Sequence, residues 1–178
     1  FGSLPVSWLR AAERSVDQVW ATSDYVRQLW LRGGFDPARV VTVPLGVRTA
    51  MFHPGAPAAD LATAKSFRFL WVGGATSRKG VDILLGAYER AFTKDDDVCL
   101  VLKDARVYGG LISTAVREFR TRPRAPEILH LADDVLPEAM PSLYRACQAF
   151  VAPYRGEGYG LPIAEAMSGL YEYKRSGD

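Results

Sequence analysis

Cysteine and histidine are scarce in this chain: 178 residues carry only 2 of each. Cys99 and Cys147 lie inside the apolar stretches DVCLVL and YRACQAF, which reads as two buried thiols packing as small hydrophobes, with no disulfide framework. His53 and His130 stand far apart, and neither a CxxC nor a paired-histidine spacing occurs, so no structural metal site is expected. No uncharged apolar run approaches the roughly 20 residues that cross a bilayer. Charge of one sign is also missing, since 22 Lys and Arg oppose 20 Asp and Glu for a formal net charge of +2. The basic residues are interleaved with acids instead of massed in a stripe, which argues against a nucleic-acid partner. The opening FGSLPVSWLR has neither an initiator Met nor a basic segment followed by an apolar one. It therefore does not read as a signal peptide, and the chain is expected to be an excised piece of something larger.

What is present is an alternation of two periodicities. FRFLWVGG, VCLVL, EILHL and AFVAP are rich in β-branched, leucine and aromatic residues, are bounded by Gly, Asp or Pro, and are too short for helices. They read as buried strands, and their near-continuous apolarity points to a parallel sheet. Between them, Ile83, Leu84, Ala87, Tyr88, Ala91 and Phe92 recur at helical spacing, as do Leu111, Ile112, Ala115, Val116 and Phe119. Met140, Leu143, Tyr144 and Cys147 mark a third helix, with Pro141 tolerated in its first turn. The series predicts an α/β fold with an open, doubly wound, Rossmann-like parallel sheet, whose ligands bind outside the carboxyl ends of the strands. The loops to watch are then GGATSRKG, KDARVYGG, ADDVLP and PYRGEGYG.

The first fifty residues differ. SWLRAAERSVDQVW puts Trp8, Leu9, Ala12, Val16, Val19 and Trp20 along one helical face, so a single helix is expected there. TSDYVRQLWLRGG opens on the cap residues Thr22, Ser23 and Asp24 and stops at Gly33 and Gly34. RVVTVPLGV reads as a strand, and HPGAPAADLATAKS as a linker or loop, which draws a domain boundary near His53. Residues 1–52 are too few for a core of their own and are expected to be the tail of a preceding domain, with 53–178 forming the main, incomplete one.

The richest segment is APYRGEGYGLPIAEAM, a strand, a Gly-rich turn and a helix opening at Leu161 and Pro162. Gly158 and Gly160 free the backbone to turn, and the amide groups of Gly160 and Leu161 carry the positive end of the helix dipole, a seat for a pyrophosphate. Glu157 precedes the turn and Glu165 follows it with seven residues between. Carboxylates repel phosphate, so their partners are hydroxyls: a ribose diol for Glu165, a sugar ring for Glu157.

This segment resembles the E-x7-E signature of retaining glycosyltransferases with two Rossmann-like domains, the GT-B fold, and in particular glycosyltransferase family 4. VGGATSRKGVDILLGAY is similar to the family's Gly-rich loop after the first strand of the C-terminal domain, with Gly73 and Gly74 in the loop and Lys79, with Arg78, gripping the diphosphate. It is neither a Walker loop, since Lys79 precedes Gly80 and Val81, nor GxGxxG. WATSDYVRQLW and FDPARVVTVPLGVRTAMFHPG resemble the last N-terminal-domain elements and the hinge. ILHLADDVLPEAMPSLYRACQAF resembles the strand, acidic loop and helix before the signature, which makes Leu131, Ala132 and Asp133 base-pocket candidates. Lys103 and Asp104, at the end of the second strand, either reach the donor or base or pair with each other. Two departures stand out. EAM runs into SGLYEYKRSGD instead of the family's closing strand and helices, and the basic residue expected directly after the first Gly of the loop is missing, Gly74 and Ala75 standing there. Neither His53 nor His130 matches the catalytic histidine of the family's N-terminal domain.

The resemblance implies transfer of a sugar from a nucleoside diphosphate donor to an acceptor hydroxyl with retention of configuration. Glu157 and Lys79 then take the catalytic roles, and Gly158, Tyr159, Gly160, Leu161 and Glu165 donor contacts. It implies a nucleotide-sugar donor as substrate, no cofactor and no metal, and an acceptor sugar, lipid or protein that nothing in the sequence specifies. It also implies a cytoplasmic protein, at most peripheral to the cytoplasmic face of the membrane. Two other readings stand beside this one: a non-catalytic nucleotide-sugar-binding module and a GT-B-fold nucleotide-sugar epimerase. Trp8, Trp20 and Trp30, if stripped of a covering domain, would favour self-association.

Overall fold

The computed structural model describes residues 2–74, 76–104 and 111–170, with backbone alone for Leu111 and Leu170. Ala75, the 105–110 part of the loop after the second predicted strand, and the 171–178 tail lie outside the described residues. The chain divides into two compact units. One takes the residues up to Gly46 together with Gly156–Leu161; the other runs from Val47 to Arg155 and resumes at Pro162.

The first unit holds α1 (Val6–Ser15), β1 (Val19–Ala21), α2 (Asp24–Arg32) and β2 (Val40–Thr42), with β1 and β2 paired in parallel. The single helix expected across residues 7–20 is not formed. It stops at Ser15, Val16 is extended, and Val19 and Trp20 belong to β1. The β-branched Val16 and Val19 gain little in a helix, and pairing Val19 with Val40 satisfies their stretch of backbone in a ladder. The buried helical residues are Leu9 and Ala12, whereas Trp8 and Trp20 are exposed. Leu9, Ala12, Ala21, Phe35 and Val40 form this unit's core. Helix α2 begins as its sequence predicts: the Ser23 Oγ accepts the Val26 amide at 3.3 Å, and Asp24 complements the dipole in the first turn. Trp30 packs edge-on against Phe35 with ring centroids 5.2 Å apart.

The second unit is built on β3 (Phe67–Gly73), β4 (Val98–Asp104), β5 (Glu127–Leu131) and β6 (Ala149–Phe150), in the order β5-β4-β3-β6 with every pairing parallel. Between and after the strands come α3 (Val81–Ala91), α4 (Leu111–Arg120), α5 (Met140–Arg145) and α6 (Leu161–Leu170). Successive side chains of a strand point to opposite faces, and the two cores sort accordingly. Trp71, Leu100 and Leu102 pack with Leu84, Leu85 and Tyr88 of α3 and with Val116 and Phe119 of α4. Leu70, Cys99 and Val101 pack with Leu143 and Tyr144 of α5, with Cys147 just after that helix, and with Ala166 of α6. Helices therefore cover both faces, as a doubly wound sheet requires. Both cysteines are free and buried, and burial pushes their thiols up to about 11 for Cys99 and about 12 for Cys147, which leaves them inert at neutral pH. Among the described residues no helix is long and apolar enough to cross a membrane.

Candidate functional site

The strand order reverses at β3. From β3 the chain steps to β4 and then β5, and afterwards jumps back to place β6 on the other side of β3. The connection after β3 leads to α3 on one face, while α6 packs on the other. Loops that part in opposite directions leave a crevice at the carboxyl ends, where open α/β sheets hold their ligands.

Gly73 ends β3, and a 3-10 turn, Ser77–Lys79, leads into α3. Gly80 joins them with φ of +64°, the left-handed region that favours glycine. A Cβ there would also stand 2.0 Å from the Pro153 carbonyl oxygen, so no other residue fits without backbone movement. The Lys79 side chain folds back toward the strand end: its Cδ lies 3.5 Å from where a Gly73 Cβ would be. Lys79 is 8% exposed, and its ammonium sits 3.9 Å from the centroid of the Tyr154 ring. Trp71 beneath it donates its indole N–H to the Lys79 carbonyl at 3.3 Å. Arg78 belongs to the same turn, where its carbonyl accepts the Arg155 amide at 2.9 Å. Gly74 follows the strand and lines the cavity described next.

That cavity, about 260 Å³, opens at the ends of β3 and β4 and is lined by Val72, Gly73, Gly74, Lys103, Asp104, Asp134, Val135 and Met140. Its two buried charged residues are tied to each other and to β5. The Lys103 ammonium donates to the carbonyl of Asp104, and the His130 Nε2 lies 3.9 Å from the Asp104 carboxylate. Burial holds the His130 imidazole below the usual histidine range, with Asp104 opposing that shift. Leu131 ends β5, and Ala132 and Asp133 follow it, but the β5 loop reaches the cavity through Asp134 and Val135. The sequence held no periodic or chemical signal for those two, because which residues of a short irregular loop turn inward is decided by its backbone path.

In α6, Glu165 lies in the second turn, half-buried. The Tyr144 hydroxyl of α5 donates to its Oε2 at 2.8 Å, and Tyr144 itself is fully buried. Burial raises the Glu165 carboxyl above the ordinary range, while the Tyr144 hydrogen bond and Arg48 oppose that. Burial in the core, and after it the neighbouring Glu165 carboxylate, pushes the Tyr144 hydroxyl far up, so it remains a donor. The first carboxylate of the motif belongs to the first unit. There Glu157 accepts the Gly158 amide at 3.0 Å, and the Gly158 carbonyl accepts the Ser23 hydroxyl at 2.7 Å. Tyr159 follows, then Gly160, buried with φ of +85°, and Leu161, where α6 opens. Gly160, unlike Gly158, is the position where the turn needs a left-handed residue.

The family described as "Glycosyl transferases group 1" matches residues 66–169, more than half of the chain, and the chain belongs to that family. Over 172 residues it is 29% identical to a D-inositol 3-phosphate glycosyltransferase of Acidothermus cellulolyticus, covering 89% of this chain and 37% of that protein. It is 30% identical over 162 residues to the O-antigen chain mannosyltransferase B of Escherichia coli, covering 86% and 42%. The chain thus spans less than half the length of these curated relatives. Among solved structures, the Anabaena protein HepE in complex with UDP and glucose superimposes with a TM-score of 0.69 at 17% identity, covering 93% of this chain and 46% of that one. The C-terminal domain of a group 1 family protein, LpcC, from Francisella tularensis gives 0.57 at 21% identity, covering 70% and 67%. The architecture is that of GT-B glycosyltransferase domains.

Proposed function

We propose that this chain is the donor-binding part of a retaining glycosyltransferase that takes a nucleoside diphosphate sugar, with residues 1–52 the remnant of an acceptor domain. The observation that carries the reading is Lys79: a cation only 8% exposed, held at the carboxyl end of β3 where the strand order reverses. A lysine in the turn before a helix opposes the dipole, and a bound diphosphate compensates both charges. As a glycosidic bond to the donor breaks, negative charge builds on the departing diphosphate, so a preorganised cation there lowers the barrier. Glu165, kept in place by Tyr144, is assigned to the ribose diol. Glu157 is assigned to the donor sugar, and Arg78, Gly73, Gly74 and the Gly158–Leu161 turn to the diphosphate. Lys103 and the Ala132–Asp133 stretch are assigned to the nucleotide half of the donor. HepE was solved with UDP and glucose, and the curated relatives are named for sugar transfer, which supports the donor class.

The test is calorimetry with UDP, GDP and ADP and with the matching nucleosides. Glu165→Ala should weaken binding of the preferred diphosphate by about 1 to 3 kcal/mol, the cost of losing a charge-assisted hydrogen bond. Lys79→Ala should weaken the diphosphate and spare the nucleoside. Equal losses for both ligands, or none, would remove Lys79 from the donor site.

A further inference from the structure

Two residues outside every role assigned above converge on Lys79. They are Tyr154 and Arg155, which follow β6 and lie more than seventy positions away in sequence. The aromatic face of Tyr154 stands under the Lys79 ammonium at 3.9 Å, and the ring is fixed from its far end because its hydroxyl donates to the Val72 carbonyl at 3.0 Å. Val72 is in β3, so the ring is anchored on the sheet itself. Arg155 acts on the backbone of the same turn. Its amide donates to the Arg78 carbonyl at 2.9 Å, and its guanidinium donates to the Ser77 carbonyl at 2.6 Å. The Nη1 of that bond, together with Nη2, donates to the two oxygens of the Asp82 carboxylate, at 2.8 and 2.6 Å, in the first turn of α3. Arg155 therefore spans the 3-10 turn from its start at Ser77 to the helix beyond it, and Lys79 lies between those fixed points.

A free lysine side chain carries rotamer entropy that is lost when it grips a ligand. A lysine already aligned by a ring face and a clamped backbone has lost that freedom in advance. An exposed ion pair such as Arg155–Asp82 adds little to stability, and its bidentate geometry is better explained by position, since two parallel bonds fix a direction as well as a distance.

From this we infer that Tyr154 and Arg155 are positioning residues for Lys79, presetting its ammonium for the diphosphate of the donor. The inference rests on the reading of Lys79 given above. Tyr154 acts on the charged head and Arg155 on the backbone that carries it, and neither needs to touch the donor.

The experiment titrates the chain with UDP, GDP and ADP and their nucleosides by calorimetry, and then follows the diphosphate bound most tightly. Tyr154→Leu and Arg155→Met should each weaken that diphosphate by about 5- to 30-fold, the equivalent of one aligned cation–π contact or clamp. Nucleoside affinity should stay unchanged. Tyr154→Phe, which keeps the ring face, should rescue most of the loss. In a Lys79→Ala background neither substitution should add to the loss, because residues acting through one lysine are not additive with it. Arg155 is exposed, so Arg155→Met carries the test should Tyr154→Leu fail to fold. A loss that persists without Lys79, or that falls equally on the nucleoside, overturns the inference, as does the absence of any loss. If Lys79→Ala itself leaves the diphosphate preference intact, the assignment of Lys79 fails first, and that result differs visibly from a failure of Tyr154 and Arg155 alone.

Discussion

The carboxyl ends of β3 and of β4 lie side by side in one sheet, each carries a buried lysine, and the two lysines are treated in opposite ways. Lys103 folds back onto the carbonyl of the next residue, Asp104, whose carboxylate faces His130. These contacts come from three residues of two neighbouring strands. Lys79 is held by groups brought from β6: an aromatic ring beneath its ammonium and an arginine across its turn. An aromatic face attracts a cation through its quadrupole and does not neutralise it. The contrast teaches that two buried lysines at adjacent strand ends can be set by partners of very different reach, one next in sequence and one more than seventy residues away.

The sharpest way to break that contrast is at Gly80. Gly80→Ala places a methyl group into the Pro153 carbonyl in a left-handed backbone, and should destabilise the second unit by about 2 to 4 kcal/mol. Urea unfolding measures it; a variant as stable as the parent would mean that the β3 and β6 loops are not locked together there. Next comes a paired substitution to methionine, which keeps length and removes charge. With Lys79 proposed for the phosphates and Lys103 for the nucleotide half, Lys79→Met should weaken the diphosphate by about 10-fold or more and spare the nucleoside, whereas Lys103→Met should weaken both ligands alike. The same pattern of losses in both variants would dissolve the distinction.

The smallest effect is one of pH. The His130 Nε2 is buried with no hydrogen-bond partner among the described residues, and the folded-state pKa of His130 lies below the ordinary 6.5. The unfolded chain therefore binds the proton first, and stability falls as pH drops through 6.5 toward the lower folded value. The urea midpoint should decline between about pH 7.5 and 5.5, and His130→Phe should flatten that decline. An unchanged slope in His130→Phe would place the titration elsewhere. The Asp82 carboxylate works in the opposite region: Arg155 holds it at about 2, so the clamp survives until pH falls well below 3.8.

Much of the fold is legible in the residues themselves. The strands β3 and β5 lie within the apolar runs that predict them, β4 extends its run VCLVL by Lys103 and Asp104, and Ser23 and Gly33 bound α2 as cap residues should. These are local matters, governed by side-chain periodicity and by the few residues able to satisfy a helix end. The Val16–Trp20 stretch misleads because its apolar spacing suits a helix as well as a strand, and β2, some twenty residues later, decides between them. The site shows the same division. The E-x7-E acids, the Gly-rich turn and Lys79 are visible in the sequence as a pattern of residue types. Tyr144, Asp82, Tyr154 and Arg155 are not, since a tyrosine in a helix or an arginine in a loop has no recognisable spacing to the group it serves.

The sequence alone determined that apolar segments form a parallel sheet and that helices must cover both of its faces, and it pointed to the loops at the carboxyl ends as the place for a ligand, because those properties follow from periodicity and from residue type. Only the tertiary structure decided that β6 lies beside β3, and with it which ring supports Lys79 and which arginine fastens its turn. Strand order depends on how helices pack over a twisted sheet, and side chains more than seventy residues apart meet only when that packing is complete.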